Sequence, residues 1–183
     1  MAVIYTTGDG KAYTAADGTL LVVGGDELNL ITDRAASDVE EVRLLAESIK
    51  AGTATAEQVQ EYLNVLHKGA YTYQDLNRVE EAVAYVAGRL NECGYLPVVP
   101  VVESWSVTDK PNEADFSRYF GNVSRLREAI AVWPHTPYAP TTVAGFDYNK
   151  ANALEQILVD VDQILNLMRD AWFYSGDLYL AEV

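Results

Sequence analysis

The pattern that decides the fold is LEQILVDVDQILNLM, which spans residues 154–168. Apolar residues recur in it at steps of three and four, and this period places them on one face of an α-helix. Further apolar residues widen that face, and so wide a face is typical of a helix at the centre of a domain. The sequence therefore predicts a long central helix from about Asp147 towards Tyr174. Its apolar face contains Leu154, Ile157, Leu158, Val161, Ile164, Leu165, Met168, Ala171 and Trp172.

Two narrower apolar seams predict helices that pack against this wide face. One helix is expected from about Thr72 to Glu92, and another from about Asn112 to Trp133. Their spacing of three and four residues is typical of helix bundles. The seams contain Leu76, Val79, Val83, Val86 and Leu90 in the first helix, and Phe116, Tyr119, Val123, Leu126 and Ile130 in the second.

Two shorter helices are predicted upstream. The first carries one apolar face, and Gly52 ends it. Thr55 and Gln58 have the spacing of a capping box, in which each side chain bonds the backbone amide of the other residue. The second helix is expected to run from there to Gly69, with His67 in its last turn. The apolar face of the first contains Val39, Val42, Leu45 and Ile49.

Residues 1–30 have a different composition from the rest. Two runs rich in β-branched residues are separated by Asp-Gly and Gly-Gly pairs, which favour tight turns. We therefore predict an N-terminal β-hairpin or extended arm at residues 1–30 and a helical domain at residues 31–183. The predicted fold class is mainly α, an antiparallel bundle of about five helices.

The composition excludes several classes of partner. The chain has 13 Lys and Arg against 27 Asp and Glu, a formal net charge of -14. Such a surface repels nucleic acid and anionic lipid. Cys93 is the single cysteine, so neither an intrachain disulfide nor a thiolate metal cluster is expected. No apolar run approaches the ~18 residues of a membrane span, so no membrane insertion is expected.

A motif occurs twice, each time at the start of a long predicted helix. It has the order aromatic, any residue, Tyr, three residues, Asn, any residue, aliphatic, Glu. The copies are Tyr71, Tyr73 and Asn77 with Glu80, and Phe146, Tyr148 and Asn152 with Glu155. We expect a helix-start device whose Asn side chains hydrogen-bond neighbouring loops, because Asn inside a helix is otherwise unfavourable. The alternative is a duplicated ligand site.

Residues suited to catalysis are few and lack a recognisable arrangement. His67 and His135 are the two histidines, and neither belongs to a triad pattern. Glu103 is the acid with the greatest interest, because it lies near Trp105 in an extended segment. Asp160, Asp162 and Asp170 are expected to be solvated. No metal-binding or nucleotide-binding motif occurs, so no metal or cofactor is predicted. We expect no enzymatic activity, with a cell-wall hydrolase as the enzymatic alternative.

Aromatic residues are the most unusual part of the composition, with 12 Tyr, 3 Trp and 4 Phe. Tyr and Trp are favoured where a ring is buried while its polar atom stays in contact with water. We predict an interface with another subunit, and capping of the end of the bundle explains the same residues equally well. The candidate interface residues are Trp172, Phe173, Tyr174, Tyr179 and Trp133.

Three runs resemble a protein family encoded in the tail fibre or baseplate regions of prophages of gut Firmicutes. They are residues 70–80, the Asp115-Phe116-x-Arg118-Tyr119-x-x-Asn122-Val123 run, and residues 171–179. The resemblance implies a phage virion structural protein of the tail, made in the bacterial host cytoplasm. It further implies a homo-oligomer, a trimer or hexamer, in contact with other virion tail proteins. The alternative is an aromatic-rich binding module for a host-surface glycan or protein.

Overall fold

The computed structural model describes residues 28–64, 67–102 and 104–180, with only the backbone for residues 64 and 172–180. Within these ranges the chain forms five α-helices and no strand, so a mainly helical chain with five helices is confirmed. The predicted N-terminal arm lies outside the described residues except for its last three, of which Leu28 and Leu30 pack against the core. The helices are α1 (Ala36–Lys50), α2 (Ala56–Asn64), α3 (Tyr73–Glu92), α4 (Glu113–Ala129) and α5 (Tyr148–Leu180).

Several helix ends lie where short polar motifs predict them, whereas α4 ends at Ala129, before the predicted Trp133. Thr72 caps α3 by accepting a hydrogen bond from the backbone N–H of Gln74. Asn112 caps α4 in the same way. The predicted capping box of α2 is confirmed, since Thr55 and Gln58 each bond the backbone amide of the other. Gly94, whose φ is 85°, follows the end of α3 in the left-handed conformation that favours glycine.

The hydrophobic core lies between α3, α4 and α5, which we call the three-helix body. Leu158 and Val161 of α5 are fully inaccessible to water, and the predicted seams of α3 and α4 face them. The packing of both narrow seams against the wide face of α5 is thus confirmed. The larger buried apolar residues of the body are Leu76, Val79, Val83, Val86, Leu90, Tyr119, Phe120, Val123, Leu126, Ile130, Leu154, Ile157, Leu158, Val161 and Leu165.

The helices of the body run parallel, which corrects the predicted antiparallel arrangement. Arg78 near the start of α3 bonds Glu155 near the start of α5. Arg89, near the end of α3, bonds Asp162 and Asn166 further along α5. Both helices therefore advance in the same direction.

Helix α4 follows that direction too. Phe120 in its first half stacks on Phe146, just before α5. Thr136, which comes after α4, donates a hydrogen bond to Asp160 in the middle of α5. Two long non-helical segments, at 93–112 and 130–147, return the chain to the starting end each time. The prediction was wrong because apolar spacing fixes which face is buried and carries no information about direction.

Helices α1 and α2 form a separate pair, which we call the hairpin. No residue of α1 is buried, so the predicted seam from Val39 to Ile49 is half-buried or exposed and does not enter the core. His67 is not helical, so the prediction that it lies in the last turn of a helix was wrong; the described part of α2 reaches Asn64. Ala171 of α5 is likewise exposed.

Candidate functional site

The two copies of the repeated motif meet at the end of the body where α3 and α5 begin. The ring of Tyr71 contacts the ring of Phe146 edge-on, with centroids 5.0 Å apart. Phe146 also stacks on Phe120, at 5.7 Å. The Tyr71 hydroxyl lies 2.5 Å from the hydroxyl of Tyr119 on α4. The first aromatic residue of each copy therefore helps to join the three helices.

The motif asparagines each hold one residue of a neighbouring segment by its backbone. Asn77 accepts from the Trp105 N–H at 2.6 Å and donates to the Trp105 carbonyl at 2.9 Å. Asn152 accepts from the Arg34 N–H at 3.0 Å and donates to the Arg34 carbonyl at 2.8 Å. The predicted bonds from both asparagines to neighbouring loops are thus present. Each carboxamide bonds both the N–H and the carbonyl of one residue. It therefore fixes the position and the register of the segment that contains that residue.

Four buried charged side chains lie beneath this end of the body, and we call them the charge cluster. They are Arg34 from the segment before α1, Asp75 and Arg78 from α3, and Glu155 from α5. Arg34 donates to Asp75 at 3.0 Å and to Glu155 at 2.7 Å. Arg78 donates to Asp75 at 2.6 Å and to Glu155 at 2.9 Å. Two positive and two negative charges are thereby balanced without solvent.

The surroundings of the charge cluster shift the pKa values of Arg78, Tyr71 and Tyr119. Burial opposes the charged guanidinium of Arg78, but the hydrogen bonds and charges of Glu155 and Asp75 outweigh it and raise its pKa. Burial raises the pKa of both Tyr71 and Tyr119. Both hydroxyls therefore keep their protons at neutral pH, and the ion pairs of the cluster orient the surrounding segments.

The glutamate that ends the other motif copy is paired in the same way. Glu80 of α3 is buried, and Arg118 of α4 donates to both of its oxygens at 3.1 and 2.5 Å. Arg118 also donates to the Pro100 carbonyl at 2.9 Å. The glutamates were visible in the repeated motif, but their arginine partners Arg34 and Arg118 were missed, because sequence spacing gives no signal for a pair so distant.

Another buried acid reverses a prediction. Asp160 was expected to be solvated, yet it is buried and accepts from Thr136 at 2.5 Å and from Gln156 at 2.6 Å. It anchors the segment that follows α4 to the middle of α5. Asp162, also expected to be solvated, is half-buried against Arg89.

Two open clefts adjoin this end of the body. One, of about 300 Å³, lies between the base of the hairpin and the body, and Val39, Lys68, Tyr71 and Tyr148 line it. The other, of about 670 Å³, follows the outer side of α3 and is lined in part by Asn77, Glu81 and Tyr85. Asn77 is already occupied by Trp105. Lys68 in the smaller cleft is paired with Asp33.

The remaining predicted residues do not assemble into one site. Trp133 stacks on His135 with ring centroids 5.5 Å apart, in the segment after α4. The ring of His67 lies 5.7 Å from that of Tyr62. Glu103 lies outside the described residues. The side chains of Trp172, Phe173, Tyr174 and Tyr179 also lie outside the description, although their backbone belongs to α5.

The described residues contain neither a candidate metal site nor a candidate membrane-spanning helix. No group of three or more His, Cys, Asp or Glu side chains in that part of the chain is placed to bind a metal ion. No helix there combines the length and the apolar character that crossing a bilayer requires. Comparison of the chain with protein-family models, with curated proteins and with solved structures finds no match.

Proposed function

We propose that the chain is a non-enzymatic structural or assembly protein of a phage virion, a tail fibre or baseplate component that forms homo-oligomers. The resemblance of three sequence runs to prophage tail proteins supports the virion assignment. The observation that carries the assembly role is that α5 extends beyond the helices it packs against. We call residues 167–180 of α5, together with Tyr95, Leu96 and Val98, the distal end.

Within the described residues, α5 continues well beyond its contact with the end of α3. Arg89, near the end of α3, contacts Asn166, while α5 continues to Leu180. At 1.5 Å per residue, the remaining turns extend about 20 Å further. Their sequence from 171 to 180 is AWFYSGDLYL, in which seven of the ten residues are apolar or aromatic. A helix with that composition is normally buried on all sides.

A second apolar surface lies at the same end of the molecule. Tyr95, Leu96 and Val98 follow directly after α3, and all three are exposed. Leu96 has a φ of 47°, a conformation that is costly for a side chain of its size. An exposed leucine held in such a conformation supports a role in contacts with another molecule. A second copy of the chain meets these requirements, because it supplies an equal apolar surface.

The non-enzymatic part of the proposal is supported by the use of the buried polar groups. Asp75, Glu80, Glu155 and Asp160 are each bonded to side chains of the fold. These acids therefore stabilise contacts between segments, and their oxygens are engaged within the protein.

Light scattering coupled to size exclusion tests the proposal on the full chain. We expect a trimer or hexamer, and we expect Trp172→Asp combined with Leu178→Asp to dissociate it to monomers. Leu44→Asp in the hairpin, which adds a charge away from the distal end, is the control and should keep the wild-type mass. A monomeric wild-type chain at every concentration would contradict self-assembly through this end.

One observation favours the alternative function, an aromatic-rich module that binds a host-surface glycan or protein. Tyr138 is 80% exposed, and its ring lies over the Arg127 guanidinium at 3.9 Å. Arg127 also donates to the carbonyls of Thr136 and Pro137, so the loop is fixed before any ligand arrives. Fixing a ring in advance lowers the entropic cost of binding. A glycan array probed with the wild type and with Tyr138→Ala tests it, and no wild-type signal would remove this alternative.

A further inference from the structure

The hairpin exposes apolar residues and has almost no core of its own. Among its described residues, none of α1 or α2 is buried. Leu44 is 52% exposed and Leu63 is 67% exposed, and Val39 and Tyr62 are exposed as well. Two helices of this length are marginal in water when they bury so little. The exposed apolar residues of the hairpin therefore contribute little to its stability and are available for contact with another molecule.

The base of the hairpin is fixed to the body. Gly69 lies so close to α1 that a Cβ atom there would be 1.9 Å from the Asp38 carbonyl oxygen. Lys68 bonds Asp33 at 2.5 Å beside this contact. The chain therefore enters α1 and returns from α2 at neighbouring points. The hairpin is presented in a fixed place at the end where α3 begins, opposite to the distal end.

The charge of the hairpin indicates what kind of partner fits. Residues 36–64 carry six carboxylates and two cations, a net charge of -4. Arg43, one of the two cations, is already bonded to Glu40 and Glu47. A second copy of the hairpin would bring the same excess of carboxylates to the contact, so like charges would face each other there. An acidic surface with exposed leucines instead attracts a basic partner that carries an apolar stripe.

We propose that the α1–α2 hairpin is a docking surface for a basic amphipathic helix of a different protein. The apolar stripe of that helix would contact Leu44, Tyr62 and Leu63, while its Lys and Arg side chains would meet the surrounding carboxylates. This interface is separate from self-assembly, because it lies at the other end of the body. The chain then connects copies of itself at one end with a second protein at the other.

A synthetic peptide provides the probe for the test. It carries Leu at steps of three and four residues and Lys elsewhere, and a scrambled peptide of equal composition lacks that period. Binding to the full chain is measured by isothermal titration calorimetry. We expect the periodic peptide to bind at least about tenfold more tightly than the scrambled one, because only the former forms an apolar stripe.

Two double variants locate the binding surface. Leu44→Asp with Leu63→Asp should weaken binding of the periodic peptide about tenfold, although both add negative charge. Val107→Asp with Val143→Asp adds the same charge at exposed valines outside the hairpin and should leave binding within about twofold. Circular dichroism confirms that each variant stays folded. Glu57→Gln with Glu61→Gln should weaken binding without removing an apolar group.

Three results would overturn the proposal. Equal binding of the scrambled peptide would show attraction by charge alone. Equal weakening by both aspartate pairs would place the peptide elsewhere. If the variant with Leu44→Asp and Leu63→Asp had a lower assembly mass than the wild type, a second copy of the chain would occupy this surface. The first two results leave the test of the distal end unaffected, because that test measures assembly mass with variants of Trp172 and Leu178.

Discussion

Helices α3 and α1 have the same kind of apolar pattern, yet they occupy different environments. Both carry aliphatic residues at steps of three and four. In α3 the seam from Leu76 to Leu90 is buried, whereas in α1 the seam from Val39 to Ile49 stays half-buried or exposed. The difference shows that a periodic pattern identifies the face of a helix that contacts something. It does not identify whether that contact lies within the same chain.

The neighbours of each helix explain the difference. The wide face of α5 is shared by α3 and α4, so both narrow seams are covered. Helix α1 has its main helical contact with α2, a short helix whose described residues contribute no buried side chain. The body is therefore expected to carry the stability of the fold, and the hairpin to carry little of it.

The largest expected contrast is between a leucine in the body and a leucine in the hairpin. Leu158→Asp removes a fully buried side chain and introduces an unpaired charge, so we expect a loss of at least about 4 kcal/mol in unfolding free energy. Leu44→Asp changes an exposed position and should leave the urea unfolding midpoint nearly unchanged. If Leu158→Asp kept the wild-type midpoint, the assignment of the core would be wrong.

Ion pairs should show a similar but smaller contrast. Asp75→Ala leaves the buried Arg34 and Arg78 with one carboxylate partner fewer, and we expect a loss of about 3–5 kcal/mol. Arg43→Ala in the hairpin removes pairs that are largely exposed and should have no measurable effect on global unfolding. Thermal unfolding of both variants compares them. Equal effects would mean that the charge cluster contributes no more than surface pairs.

The asparagine contacts offer a contrast within the body. Asn152→Ala and Asn77→Ala each remove two hydrogen bonds, one to the N–H and one to the carbonyl of the residue that the asparagine holds. We expect each variant to lose about 2 kcal/mol of unfolding free energy. Asn149→Ala, at an exposed position one turn earlier in α5, is the matched control and should be close to neutral. Urea unfolding measures all three. A neutral Asn152→Ala would mean that water replaces the amide contacts to Arg34.

Helix caps give the smallest contrast. Asn112→Ala at the start of α4 should lower the global unfolding free energy by about 1 kcal/mol. Thr55→Ala removes the equivalent cap of α2, and we expect it to speed hydrogen exchange at α2 amides while global unfolding stays unchanged. Exchange at Val59 measured by NMR distinguishes the two. A global loss from Thr55→Ala would show that the hairpin and the body unfold together.

Local chemistry in the sequence predicted much of the fold. The caps at Thr72 and Asn112, the left-handed Gly94 and the wide face of α5 all depend on neighbouring residues, and all are present. The predicted antiparallel direction of the helices was wrong, because the direction depends on where the long segments between the helices return. A compact bundle was assumed to have neighbouring helices joined by short antiparallel turns.

The candidate site was predicted less completely than the fold. The repeated motif located Asn77 and Asn152, but the residues that they bind lie in segments without a recognisable pattern. Arg34 gives no sequence signal for its pairing with Glu155, which is 121 positions away. The burial of Asp160 was also not predictable, because an acid outside the apolar seam of a helix is usually solvated. It is buried here because the hydroxyl of Thr136, from a segment without a pattern, bonds it.

The parallel order of the three helices has a consequence for how the chain folds. Arg78 and Glu155 are 77 positions apart, and Arg89 and Asp162 are 73 apart, so the contacts that define the body join distant parts of the chain. Two helices of the body can pack together only after the long segment between them has closed a loop. The conformational entropy of that segment is lost before the contacts between the helices form. We expect refolding after a denaturant jump to be slower than that of an antiparallel three-helix bundle of similar stability.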